Sequence, residues 1–297
     1  MMRPGCDSVR ARHSLIPYGR SVPSLSPTDV PAVGDWNRLL GGQSAVVTGG
    51  GTGIGRAVVE LFVAHGADVH VAEIDARLVS DLNGLHGVTA HTVDVRDQAQ
   101  VALFANTTPT PAVLVNNVGD YRPAVRFPDS DPESWQAMYD VNLLHLFAVT
   151  RAFLPQMIDN GEGSIVNIHS VEAMRGYPGE PVYAAMKAAA AHFTVSLAAG
   201  VGRHGVRVNG VGPDLTQTPQ VDYLRRPADR NIAAWRNWAP LGRVGWPDEP
   251  ARVVLFLASD LSSFVTGHNI PVDGGTLAGS GWSWSERAGR FVNRPTV

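Results

Sequence analysis

Tyr183 and Lys187 stand four residues apart in Tyr183-Ala184-Ala185-Met186-Lys187, and side chains at that spacing share one face of a helix. A free phenol titrates near 10 and a free lysine ammonium near 10.4, so neither alone suits acid/base work at neutral pH. An ammonium within about 4–6 Å favours the phenolate, and so does an oxidised nicotinamide ring, which together predict a tyrosine pKa lowered towards the working pH that a general acid/base needs. The spacing is common by chance, yet composition supports it here. The 24 basic residues are 23 arginines and one lysine, Lys187. A lysine placed at random would fall four residues after one of the six tyrosines in 297 positions about 2% of the time. A forked guanidinium cannot replace a compact ammonium where the chemistry needs one; the bland alternative is codon bias with a chance survivor. Ser170, 13 residues before Tyr183, ends a run that reads as a strand. Its hydroxyl can hold a substrate oxygen beside the phenol, or simply form the turn that closes the strand.

A second chemical pattern lies near the start of the regular region. Thr48-Gly49-Gly50-Gly51-Thr52-Gly53-Ile54-Gly55 joins a strand to a helix. Glycines at 49, 53 and 55 allow a tight turn and bring the backbone close to a pyrophosphate, which then rests on the positive end of the helix. The next strand ends in Glu73, 24 residues after Gly49. A carboxylate there accepts both adenosine-ribose hydroxyls and repels a 2′-phosphate, or it is an ordinary exposed glutamate at a strand end. Neither position 52 nor position 74 carries a cation that would favour NADP. The expected cofactor is NAD (NAD+/NADH).

These groups need a scaffold, and the rest of the chain supplies the pattern for one. Strands are expected at 45–48, 69–73, 89–93, 113–116, 164–168, 207–211 and 270–272, with helices such as 54–65, 133–158, 182–202 and 249–258 between them. Asp131 followed by Pro132 predicts an N-cap with proline at the first helical position. This alternation indicates an α/β domain, a parallel sheet with helices on both faces, filling residues 43–297 as one unit. Residues 1–42 differ: five prolines, several serines, four arginines before position 21 and no apolar periodicity predict an irregular or disordered arm.

Bulk properties exclude other classes. With 44% hydrophobic residues, a net charge of −3 and a pI near 6.3, no basic face points to nucleic acid or an anionic membrane. The single cysteine, Cys6, fits a reducing, cytoplasmic setting. No His/Cys spacing suggests a metal. The apolar run 181–202 is interrupted by Lys187 and His192 and reads as a buried or interface helix of a soluble protein.

Taken together and in order, these pieces resemble the short-chain dehydrogenase/reductase family in its common branch of about 250 residues. The match runs from Ser44 to Thr276 and includes the glycine turn 48–55, Asp94-Val95, Asn116-Asn117-Val118-Gly119, Asn142, Ser170, Tyr183/Lys187 and Asn209 to Pro213. The stretch from Pro240-Leu241-Gly242-Arg243 to Asp273-Gly274-Gly275 belongs to it too. The resemblance implies a single-domain Rossmann fold, a doubly wound seven-stranded parallel sheet, and a homotetramer pairing helices 133–158 and 182–202. It implies a catalytic tetrad of Asn142, Ser170, Tyr183 and Lys187, with Lys187 also on the nicotinamide ribose.

For the cofactor it implies contacts from Gly49, Thr52, Gly53, Ile54, Gly55, Glu73, Asp94, Val95, Asn116, Val118, Gly119, Pro213, Thr216 and Thr218. Asp94 and the Val95 backbone would hold the adenine, Asn116 would line the adenosine side, and Thr218 would reach the carboxamide. Three positions depart from the family's habit: Val118 for alanine, Asp214 for a glycine expected at positive φ, and His169 for a second serine. The last is either a packed strand-end histidine or a group that tunes substrate polarity. Residues 214–239 form the expected substrate lid. Tyr177, Tyr223 and Trp235, with His169, are the pocket candidates; Trp238 lies in the same lid, and such aromatics suit an apolar or cyclic substrate or merely pack the lid. The tail 276–297 either packs on its own domain or reaches a neighbouring subunit.

The activity expected from these residues is NAD(H)-dependent hydride transfer between a secondary alcohol and a ketone. The rival readings are an NADPH-dependent carbonyl or 3-oxoacyl-thioester reductase and, from another class, a non-catalytic NAD-binding sensor or scaffold.

Overall fold

Short runs of β-branched and apolar residues form seven strands: β1 (Ser44–Thr48), β2 (Asp68–Glu73), β3 (Val88–Thr92), β4 (Val113–Asn116), β5 (Gly163–Ile168), β6 (Val206–Pro213) and β7 (Asn269–Val272). The computed structural model describes residues 35–122, 124–223, 237–285, 287 and 289–292. Most of the N-terminal arm, and residues 224–236 of the expected lid including Trp235, lie outside the described residues. All seven strands pair in parallel in the order β3-β2-β1-β4-β5-β6-β7. Strands covered on both faces need apolar side chains on both, and β1, β4 and β5 are buried along almost their whole length.

Between the strands run α1 (Gly53–Ala64), α2 (Ala76–Leu82), α3 (Gln98–Thr107), α4 (Pro132–Tyr139), α5 (His145–Asn160), α6 (Pro181–Val201) and α7 (Asp248–Ala258). Asp75, Asp97 and Asp131 cap the starts of α2, α3 and α4 by accepting free backbone N–H groups, the role expected of short acidic side chains there. Asp131 and Ser134 complete a reciprocal capping box, with Pro132 at the first turn. The helix expected at 133–158 is α4 and α5 joined by a π-helical turn at Asp140–Leu144. Asn142 sits in that turn and donates through Nδ2 to the carbonyls of Met138 (3.1 Å) and Asp120 (2.7 Å).

One face of the sheet packs on α1 and α7 through Val58, Val59, Phe62, Val254 and Leu257. The other packs on α3, α5 and α6 through Phe104, Phe153, Met157 and Ala198. The stretches 132–160 and 181–204 are long and apolar enough to cross a membrane by composition, but here they place Phe153, Met157, Ala198 and Val201 in this core.

Packing reaches further towards the N-terminus than the apolar pattern shows. The irregular arm was expected to run to residue 42, yet Leu40 is fully buried among α1 and β2 side chains, and Gly42 N donates to Gly66 O. Two apolar residues after a polar stretch are too short a run to show periodicity, so only packing reveals them. The tail contributes an antiparallel ribbon, β8 (Ser283–Ser285) with β9 (Arg290–Val292).

The strand order reverses between β1 and β4, and ligands of such sheets bind beyond the carboxyl ends at that switch point. A buried polar chain ties the centre of the sheet together beneath it. Asn116 Nδ2 donates to Thr150 Oγ1 (3.0 Å) and Asn167 Oδ1 (2.9 Å), Asn167 Nδ2 donates to Thr194 Oγ1 (2.9 Å), and Thr194 Oγ1 donates to Ala190 O. Leaving buried partners unpaired costs about 1–3 kcal/mol per group. Asn167→Ala is therefore expected to lower unfolding stability by about 2–3 kcal/mol. A fall in urea midpoint without a change in slope would register it.

Candidate active site

Because the strands are parallel, the glycine turn after β1, the segment 117–121 after β4, Ser170 after β5 and the segment 214–218 after β6 gather at one edge of the sheet. They line a cleft of about 650 Å³ that also takes in Glu73, Tyr177, Tyr183, Lys187, Tyr223 and Trp238.

At one end the turn 49–55 enters α1. A Cβ at Gly55 would collide with the Gly49 carbonyl, so glycine alone permits this approach of helix and turn. Thr52 makes no side-chain cap and the first turn of α1 holds no acidic residue, which leaves its N–H groups able to meet an anion. Glu73 is buried, and its carboxylate accepts from Gly51 N (2.9 Å), Ile74 N (2.8 Å) and Asp75 N (3.2 Å). It is thus a fixed charge on the cleft wall, not a solvated strand end. Among the described residues lining the cleft only Arg175 and Lys187 are cationic. Asn117, which sequence reasoning passed over, clamps the turn by donating to Thr48 O (3.2 Å) and Gly49 O (3.0 Å).

One expected cofactor side chain turns away from the cleft. The Asn116 side chain is fully buried and bonded inside the sheet, because strand alternation turns it away from the cleft that Asn117 faces. Asp94 is held by Arg96 in a bidentate pair (2.7–3.2 Å), and the Val95 side chain is buried in the core, leaving its backbone for the expected adenine contact; neither lines the cleft itself. Thr52, Gly53, Ile54, Val118, Gly119, Pro213, Thr216 and Thr218 do.

At the other end Lys187 is buried on α6, with Nζ 5.7 Å from the centroid of the Tyr183 ring. A Cβ on Gly119 would stand 2.5 Å from that Nζ and 3.1 Å from Asn142 Oδ1, so the ammonium, Gly119 and Asn142 meet closely, with Asn142 behind the cleft wall. Burial lowers the ammonium to about 8, opposed by the Asp120 carboxylate. Tyr183 is flanked edge-on by Tyr121 and Tyr177 at 6.4 and 6.3 Å. The protein's own side chains do not shift the phenol down. Burial pushes it up, only partly opposed by a hydrogen bond with the Ser170 hydroxyl, because the same walls that exclude water penalise the phenolate. In the protein's own field the phenol keeps its proton.

His169, at the end of β5, lines the cleft yet is buried, with Nδ1 3.0 Å from the Ser170 carbonyl oxygen and its ring against β6 at Gly210 and Gly212. Burial lowers it to about 4. His145 at the start of α5 is buried deeper, and desolvation with the Lys187 charge lowers it to about 3. Asp214 does not take the positive φ expected of it; Leu215 does, at φ 37°, while the Asp214 carboxylate accepts from Leu215 N and Thr276 Oγ1. Tyr223 packs with Leu215, Ala239 and Val244. Gln220 Nε2 donates to Gly119 O (3.2 Å), which brings the segment after β6 over the cleft.

Other proteins share this arrangement. A family model described as enoyl-(acyl carrier protein) reductase matches residues 49–276. The 3-oxoacyl-(acyl-carrier-protein) reductase FabG of Thermotoga maritima is 40% identical over 249 residues, 80% of this chain and 99% of its own. Galactitol 2-dehydrogenase of Rhizobium johnstonii is 38% identical over 246 residues, covering 80% and 95%. A crystal structure of gluconate 5-dehydrogenase from Burkholderia cenocepacia, in complex with NADP and tartrate, superposes with a TM-score of 0.76 at 29% identity, covering 82% and 98% of the two chains. With a family model over more than two thirds of its length and relatives matched almost end to end, this chain belongs to the short-chain dehydrogenase/reductase family of oxidoreductases.

Proposed function

We propose that this protein is an NAD(H)-dependent oxidoreductase that interconverts a ketone and a secondary alcohol, with Tyr183 as the acid/base. The observation that carries the reading is one cleft with a glycine turn and fixed Glu73 at one end and Ser170, Tyr183 and Lys187 at the other. The residues present fit a nicotinamide dinucleotide. The uncapped start of α1 suits its pyrophosphate, Glu73 its adenosine ribose, and Lys187 its second ribose. When bound, the dinucleotide supplies or accepts the hydride.

The side chains do the rest. Ser170 and Tyr183 hydrogen-bond the substrate oxygen, and Tyr183 gives its proton to that oxygen as the carbonyl is reduced, or takes it in the reverse direction. A phenol that burial keeps protonated is in the form that reduction needs. The Lys187 ammonium stabilises the phenolate left behind, and Asn142 fixes the segment carrying Asp120, whose carboxylate supports that ammonium.

A second reading is favoured by the relatives. The names of the Thermotoga protein and of the matching family model speak for reduction of an acyl-thioester substrate, and the gluconate 5-dehydrogenase structure holds NADP. Against NADP stands Glu73, a buried carboxylate on the wall beside the glycine turn, which would repel a 2′-phosphate, with no lining cation among the described residues beyond Arg175 and Lys187.

NADH is expected to surpass NADPH in kcat/KM by about 10–100-fold, the cost of one close like-charge contact. Glu73→Ser should narrow the gap, and parity in the unmodified protein would reverse the coenzyme assignment. Tyr183→Phe should cut turnover about 10²–10⁴-fold while coenzyme binding, followed by fluorescence titration, persists. The ammonium is charged below about pH 8 and neutral above it, so turnover should decline as pH rises through that value. Asp120→Asn, which removes the charge that raises it, should move this limb to lower pH.

A further inference from the structure

The wall of the cleft beside Ser170 carries three charged side chains that the Tyr183 chemistry does not use. Arg175 donates from Nε and Nη2 to the two Glu172 oxygens (3.2 and 2.7 Å) and from Nη2 to Asp214 Oδ2 (2.9 Å). Thr276 Oγ1 donates to the same Asp214 oxygen at 2.6 Å. The side chains of Arg175, Glu172 and Asp214 keep only 14%, 12% and 11% of their exposure. All three line the cleft, and the guanidinium carbon lies 6.0 Å from the centre of the Trp238 ring. Glu172 N donates to Ser170 Oγ (3.2 Å), so the cluster grows from the same turn that presents the serine.

We infer that Glu172, Arg175 and Asp214 form a specificity site for an uncharged substrate bearing a hydroxyl beside the reacting carbon: an α-hydroxyketone, or the corresponding vicinal diol or polyol. This rests on the function proposed above and names its substrate class.

The argument is one of unused hydrogen-bonding capacity. Arg175 Nη1 donates to nothing among the described residues, and two carboxylates facing one guanidinium retain acceptor positions towards the cleft. A substrate hydroxyl can both accept from Nη1 and donate to a carboxylate oxygen, so it satisfies both kinds of group at once. A methylene in the same place satisfies neither and strips water from a charged cluster, which costs more than leaving a neutral group unpaired. The two carboxylates outnumber the guanidinium and disfavour an anionic group. The Trp238 face suits the C–H side of a small polyol.

The reaction balances without further reactants. The carbonyl carbon of the hydroxyketone gains a hydride from NADH, its oxygen gains the Tyr183 proton, and solvent reprotonates the phenolate, giving the diol and NAD+.

Acetoin and butan-2-one differ by the one hydroxyl in question. With NADH and the full chain, kcat/KM for acetoin is expected to exceed that for butan-2-one by at least about 10-fold, the discrimination sites built for hydroxyls readily exceed. Arg175→Met and Glu172→Gln should each collapse that ratio towards one. A purely structural tie would lower both substrates together and leave the ratio unmoved, which overturns the inference. So would a preference for butan-2-one or for the N-acetylcysteamine thioester of acetoacetate. Calorimetric titration of 2,3-butanediol and 2-butanol into the Tyr183→Phe protein with NADH separates the two proposals. Selective diol binding without turnover of any ketone by the unmodified protein sinks the oxidoreductase reading alone. Turnover without diol selectivity sinks this one alone.

Discussion

Holding an ammonium group out of water is unfavourable unless its surroundings compensate, and much of this cleft is arranged around that of Lys187. The alanine-rich stretch of α6 keeps the helix slim where the lysine turns inward. Gly119 gives up a side chain so that Nζ can approach. The π-helical turn at Asp140–Leu144 sets Asn142 beside Gly119 and bonds it on both sides to Asp120, whose carboxylate offsets part of the desolvation. Asp120 is itself kept ionised: burial works to raise its carboxyl, and Arg122 more than offsets this. One buried charge thus accounts for a glycine, a distorted helix and an ion pair that are separate in sequence.

The other end of the cleft follows the same economy with backbone groups. Glu73 satisfies three N–H groups of the turns around it and in doing so becomes an immobile negative charge. Asn117 satisfies two carbonyls of the glycine turn. Side chains that hold a turn in shape also define the electrostatics that a ligand meets. This is why a strand-end glutamate acts differently from one in solvent.

Between these ends, the segment after β6 is held in an uncommon geometry. Leu215 occupies positive φ, sparsely populated for a branched side chain, and Asp214 on its N-terminal side is tied to Arg175 and Thr276. Strain of about 1–3 kcal/mol at such a residue persists only where neighbours over-determine it. The charged cluster therefore joins the turn bearing Ser170 to the strained segment, and this wall of the cleft and the loop geometry are one unit.

Local signals were enough for the elements: seven apolar runs, the Asp131–Pro132 cap and the spacing of Tyr183 and Lys187 express short-range rules that hold whatever the rest of the chain does. Spacing also marked the glycine turn and Glu73. What only the tertiary structure decided is which way each side chain faces and how much water it keeps. Asn116 and Asn117 are adjacent and chemically identical, and strand alternation sends one into the sheet and the other to the cleft. Glu172, Arg175 and Asp214 read as scattered charges until parallel strands bring the ends of β5 and β6 together. The phenol at 183 was expected to lose proton affinity to its neighbouring ammonium and an oxidised nicotinamide ring, and burial by the cleft's own walls acts in the opposite direction. Desolvation depends on every wall of a cleft at once, and no window of sequence contains them all.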